Sequence, residues 1–75
     1  MTPKESIGAN IVYFRGVRGL SLKDLAERSG LQHTYIERIE QGESTLVVDD
    51  FFKIAQALDC QPTELLLGPH TWMRL

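Results

Sequence analysis

Four residues in one short stretch carry hydrogen-bonding groups at helical spacing: His33, Thr34, Glu37 and Arg38. With about 3.6 residues per turn, these four share one side of a helix whose other side holds Tyr35, Ile36 and Ile39. Their chemistry suits the edges of stacked bases. An arginine can bond guanine O6 and N7 in bidentate fashion, and a threonine can hydrogen-bond a base edge or touch a thymine methyl. A histidine can donate to a base or a phosphate, and a glutamate can accept from cytosine N4. Ser21, Lys23, Gln32, Gln41 and Ser44 flank this group and could meet phosphate oxygens, contacts that set register while base contacts set sequence. The alternative for each of the four on this helix is a solvated face.

Other chemistries find little support. Cys60, His33, His70 and Ser21 fall in different predicted elements and form no nucleophile–base–orienter set, so no catalytic residue is assigned. One cysteine and two histidines cannot furnish a self-contained four-ligand zinc site, so no metal and no cofactor are expected. A small-molecule ligand is not expected either, because a chain of 75 residues has little room for a pocket. The run MTPKES lacks the basic-then-apolar pattern of a signal peptide, and no apolar run is long enough to span a bilayer. A cytoplasmic protein without membrane contact is expected.

Elements to position the four residues follow from capping and periodicity. Residues 20–42 read as two short helices around a tight turn. Ser21 is the N-cap of the first, with Asp24 at N3; Leu25 and Ala26 line its inner face. Gly30 breaks it, Leu31 sits in the turn, and Ile36 and Ile39 line the second helix, which stops at Gly42. This spacing is that of a helix-turn-helix. Before it, Thr2-Pro3-Lys4-Glu5 signals a helix from Pro3 to Arg18, with Ile7, Ile11 and Phe14 inward. After it, a helix is expected from Val48 to Leu58 with Val48, Phe51 or Phe52, Ala55 and Leu58 inward. Asp59 is expected in the left-handed position that ends it. Pro62 opens a last short helix with Leu65 and Leu66 inward, stopped by Gly68-Pro69. The expected fold is all-α, a compact five-helix domain over residues 1–69 with a tail at 70–75.

Charge is unevenly shared. Residues 1–41 carry six Lys and Arg against five Asp and Glu, and residues 42–75 carry two against five. Nucleic-acid binders are usually basic, so the net charge of -2 weighs against DNA, and its distribution softens the objection.

From Ile7 to Leu66 the chain resembles the Cro/repressor-type helix-turn-helix regulators, the XRE family. The matching residues are Ile7, Ile11, Phe14-Arg15, Gly19-Leu20, Leu25-Ala26, Gly30, Tyr35-Ile36, Arg38-Ile39-Glu40, Gly42, Lys53-Ile54-Ala55, Leu58, and Pro62 with Glu64-Leu65-Leu66. The resemblance implies a lambda-repressor-like bundle that binds double-stranded palindromic operator DNA as a homodimer, with the third helix in the major groove. It also implies that Arg15 and Glu40 form a shielded ion pair between helices 1 and 3. Leu22, His33 and the uncharged Ser44-Thr45-Leu46 loop depart from the family pattern and remove expected phosphate contacts. A dimer surface is expected on helices 4 and 5 and the tail: Leu46, Phe51 or Phe52, Leu66, Leu67 and Trp72. Val12, Tyr13 and Val17 make helix 1 apolar beyond the needs of a monomer. They favour an alternative reading, a protein-interaction module of antitoxin or antirepressor type with weak DNA binding.

Overall fold

A computed structural model of the protein describes residues 3–68, with side chains for residues 6–68. Five helices follow one another: α1 (Pro3–Val17), α2 (Leu22–Ser29), α3 (His33–Glu40), α4 (Val48–Ala57) and α5 (Pro62–Leu67). The described residues contain no strand. The expected capping box of Thr2 and Glu5, and the tail with His70, Trp72 and Leu75, lie outside the described side chains.

Local chemistry sets the boundaries. Ser21 Oγ accepts from the Asp24 N–H and the Asp24 carboxylate accepts from the Ser21 N–H, each at 3.0 Å, which closes the box at the start of α2. Those bonds to Ser21, the backbone one foremost, hold the Asp24 carboxyl below its ordinary value. Gly30 ends α2 at φ 75°, in the left-handed region, with its N–H on the Ala26 carbonyl. Asp59, at φ 54°, takes the same role after α4 without being glycine. Helices α1, α3 and α4 each end one residue earlier than expected, at Val17, Glu40 and Ala57, because Arg18, Gln41 and Leu58 belong to the turns.

The core is made of Ile11, Phe14, Leu25, Ile36, Ile39, Ile54, Ala55, Leu58 and Leu65. Ile7, Ala26, Leu31, Tyr35, Leu46 and Phe51 are half-buried against it. Two expected core residues are not there. Val48 is 67% exposed, because the buried stripe of α4 runs through Phe51, Ile54, Ala55 and Leu58 and its first turn lies at the rim. Leu66 is 53% exposed, because each residue of a helix turns about 100° from the last and Leu65 already takes the inward position on this one-and-a-half-turn element. Phe51, not Phe52, packs on the core.

Polar side chains from α1 reach across the bundle. The Asn10 amide donates to the Leu65 carbonyl at 2.6 Å, and the Arg18 guanidinium donates to the carbonyls of Leu58 and Asp59 at 2.8 Å each. Arg18 thereby supplies the cation that a helix C-terminus favours, here that of α4. Gly8 lets α1 cross α3 closely: a Cβ at Gly8 would sit against the Ile39 carbonyl oxygen and 2.7 Å from that of Glu40. A Cβ at Gly16, by contrast, would meet nothing within 4 Å.

These two glycines should therefore respond oppositely to the same substitution. Gly8→Ala must push two helices apart and should destabilise the fold by about 1–3 kcal/mol. Gly16→Ala should stabilise it by roughly 0.5–1 kcal/mol through helix propensity. Chemical denaturation of both variants measures the difference, and equal effects would contradict the close crossing.

Candidate nucleic-acid interface

Helix α3 is held from behind and left open in front. Ile36 and Ile39 are buried, while His33, Thr34, Glu37 and Arg38 are all exposed. The side chains at the back fix its rotation. Arg15 Nε meets Glu40 Oε2 at 2.8 Å and a second guanidinium nitrogen donates to Oε1 at 3.3 Å, a two-pronged pair. A third nitrogen of Arg15 donates to the Leu20 carbonyl at 3.2 Å. The Glu40 side chain is 9% exposed and that of Arg15 24%, so the pair is shielded. Arg15 thus makes three bonds within the fold, to Glu40 and to the Leu20 carbonyl.

A second tie fastens α3 to α4. Tyr35 Oη donates to the Asp50 carboxylate at 2.8 Å, and Lys53 Nζ approaches the same carboxylate at 3.9 Å. Burial, followed by the bond to Asp50, raises the Tyr35 phenol above its ordinary value, so it remains a donor. The turn between α2 and α3 is pinned by Ser29, whose hydroxyl donates to the Ala26 carbonyl and accepts from the Leu31 N–H, both at 3.3 Å. Among the described residues, no buried side-chain polar atom lacks a partner.

At its N-terminus α3 lacks a side-chain cap, since Gln32 makes no capping bond. Its first backbone N–H groups therefore have no acceptor from the cap side chain, an arrangement that suits a phosphate oxygen. The N-terminus of α2 is different. There the Ser21 hydroxyl and the Asp24 carboxylate serve each other, and Lys23 is the exposed cation. Gln32 and Gln41 are exposed and Ser44 half-buried. Of the residues expected at a dimer surface, Leu66 and Leu67 are exposed, Leu46 and Phe51 are half-buried against the core, and Trp72 lies outside the described residues. Phe52, the alternative to Phe51 in that expectation, is exposed, and Val48, expected inward, joins it on the outside of α4.

The described residues contain no group of three or more His, Cys, Asp or Glu able to hold a metal ion. Burial pushes the Cys60 thiol up to about 11, away from the reactive thiolate form. No helix among the described residues is long and apolar enough to cross a membrane.

A family model described as helix-turn-helix matches residues 13–65. The chain belongs to the helix-turn-helix family. The control protein C.SmaI of Serratia marcescens is 35% identical over 66 residues, spanning 88% of this chain and 79% of that protein. The crystal structure of the restriction–modification controller protein C.AhdI from Aeromonas hydrophila superposes with a TM-score of 0.81 at 34% identity, covering 83% of this chain and 94% of that one. A hypothetical transcription factor from Neisseria, NHTF, superposes with a TM-score of 0.90 at 27% identity over 97% of this chain and 84% of its own. In this helix-turn-helix protein, α2 and α3 are the two helices of the motif and α1, α4 and α5 are its scaffold.

Breaking the Arg15–Glu40 pair one partner at a time should strand a shielded charge. Glu40→Ala or Arg15→Ala should each cost about 3 kcal/mol, and replacing both with apolar residues should recover much of that loss. A double-mutant cycle by urea denaturation measures it; additive effects would show that the two side chains do not act as a pair.

Proposed function

We propose that this protein is a sequence-specific transcriptional regulator that binds palindromic operator DNA as a dimer, with α3 in the major groove. The observation that carries the reading is the division of α3: Ile36 and Ile39 are locked into the core, and His33, Thr34, Glu37 and Arg38 are presented together. Arg38 is assigned to guanine, Thr34 to a base edge or a thymine methyl, Glu37 to a cytosine amino group, and His33 to a base or phosphate. Lys23, Ser21, Gln32, Gln41, Ser44 and the open N-terminus of α3 are assigned to the backbone. The names of the similar proteins, a control protein and a restriction–modification controller, support the small-controller type. On this reading the protein acts in the cytoplasm, without catalysis and without a small-molecule ligand.

Geometry and charge both support a dimer. One module covers one half-site, and two modules about 34 Å apart read a palindrome. The chain has few cations to spend on phosphates, so linking two weak contacts supplies affinity that one lacks. The exposed Val48 and Phe52 of α4 and Leu66 and Leu67 of α5 offer an apolar surface for it. A second reading, a module that captures another protein, is favoured by the exposed Val12, Tyr13 and Val17 of α1.

Selection from random duplexes should enrich a palindrome. On that site Arg38→Ala should weaken binding by about 1–3 kcal/mol and relax one base position, while Lys23→Ala should weaken all sequences alike and flatten the salt dependence. Gel-shift titration against cognate and scrambled duplexes separates the two effects. Failure to enrich any sequence, together with capture of a single stoichiometric protein partner, would favour the second reading.

A further inference from the structure

The outer side of α1 is apolar where a solvated helix face is usually charged. Between Ala9 and Val17 its exposed side chains are Ala9, Val12, Tyr13 and Val17, and the one charge in that stretch, Arg15, is bonded to Glu40. Gly16 lies among them, three residues after Tyr13 and four after Val12, and so on their side of the helix. The space above it is open, since a Cβ there would meet nothing within 4 Å. The Tyr13 ring is steadied by an edge contact with Phe14, with centroids 5.2 Å apart and planes at 85°. Together these residues form a shallow apolar seat.

The described chain ends beside this seat. The Asn10 amide donates to the Leu65 carbonyl at 2.6 Å. A Cβ at Gly68 would lie 2.7 Å from Asn10 Oδ1, so the buried Gly68 rests against the same side chain. Asn10, Tyr13 and Val17, at intervals of three and four, share one side of α1. Helix α5 runs back along α1: Arg18 holds the Leu58 and Asp59 carbonyls just before it, and Asn10 holds its end. Gly68, at φ 78° in the left-handed region, turns the chain out of α5, and Pro69 has no N–H with which to extend that helix. Two courses along α1 are open from there. Toward its start the sequence is Lys4-Glu5-Ser6, which is polar; toward its end stand Tyr13 and Val17.

Residues 69–75 read Pro-His-Thr-Trp-Met-Arg-Leu, and Trp72, Met73 and Leu75 are large apolar side chains in need of cover. The length suffices. Val17 lies about 10 Å beyond Asn10 along α1, and seven extended residues span up to about 23 Å. A covered tryptophan buries roughly 150–250 Å², a gain that favours an apolar seat over water. We propose that residues 69–75 fold back along α1 and seat Trp72 on Tyr13, Gly16 and Val17. The tail then covers, within one chain, the α1 surface that favours capture of another protein, and such a partner must displace it. The dimer surface keeps its α4 and α5 residues and does not include Trp72.

Trp72 is the one tryptophan of the chain, so its fluorescence reports the contact directly. In the full chain its emission should be blue-shifted and shielded from acrylamide, and equally so on dilution. Val17→Lys, at an exposed position, should leave the circular dichroism unchanged, move the emission to that of free tryptophan and abolish the shielding. Phe52→Lys, on the exposed side of α4, should leave the emission as it is. A wild-type Trp72 as accessible as the free amino acid would overturn the proposal, and so would shielding that survives Val17→Lys. Shielding lost on dilution or with Phe52→Lys would overturn it in favour of a second copy as the cover. Should Val17→Lys fail to fold, nuclear Overhauser contacts in the wild type decide: contacts between the Trp72 indole and the Tyr13 ring support the seat, and their absence contradicts it.

Discussion

The bidentate contact between Arg15 and Glu40 ties the first helix to the last turn of α3. A shielded pair of this kind contributes little net stability compared with two well-packed apolar residues. What it adds is orientation. Because neighbouring residues of a helix differ by about 100°, a rotation of α3 by a single position would bury Glu37 and expose Ile36. The pair, the Leu20 carbonyl behind it and the close crossing at Gly8 leave α3 one rotation. Tyr35 and Asp50 fix it from the other side. The reading face is the remainder: whatever these ties do not use points outward.

Electrostatics then shapes how the face can work. The chain carries ten carboxylates against eight Lys and Arg, and Arg15 and Arg18 are consumed by structural bonds. The Asp24 carboxylate, which strengthens α2 by completing its capping box, also puts an anion at the helix end where related geometry would welcome a phosphate. Stability of the motif and attraction to a polyanion are thus in competition at one residue. Binding that gains less from phosphates must gain more from base contacts and from pairing of two copies.

Much of this was legible in the sequence, and the reason is that caps are local. Ser21 with Asp24, Gly30, Asp59 and Pro62 mark their turns through interactions spanning three or four residues, so helix order and most boundaries follow from spacing. The exposed set on α3 follows from the same periodicity. The Arg15–Glu40 pair spans 25 positions and was reached through family resemblance, since two separated charges give no local signal. The bonds from Asn10 to Leu65 and from Arg18 to Leu58 span 55 and 40 positions and left no trace in composition or period. Periodicity also fails to set phase at helix ends. Val48 and Leu66 continue apolar stripes in sequence, but they sit where the bundle has run out of neighbours. Those same residues became the exposed apolar surface of α4 and α5, which the sequence reading had partly assigned to the core.

Contact between the exposed side of α3 and DNA can be observed residue by residue. The direct measurement is a titration of isotope-labelled protein with the palindromic duplex recovered by selection, following backbone amide and Arg38 side-chain resonances. Resonances of His33, Thr34, Glu37 and Arg38 and of Ser21 to Lys23 should shift most, and those of the buried Leu25, Ile36 and Ile39 and of the outer face of α1 should shift least. Shifts concentrated on α1, or none beyond those given by a scrambled duplex, would contradict it.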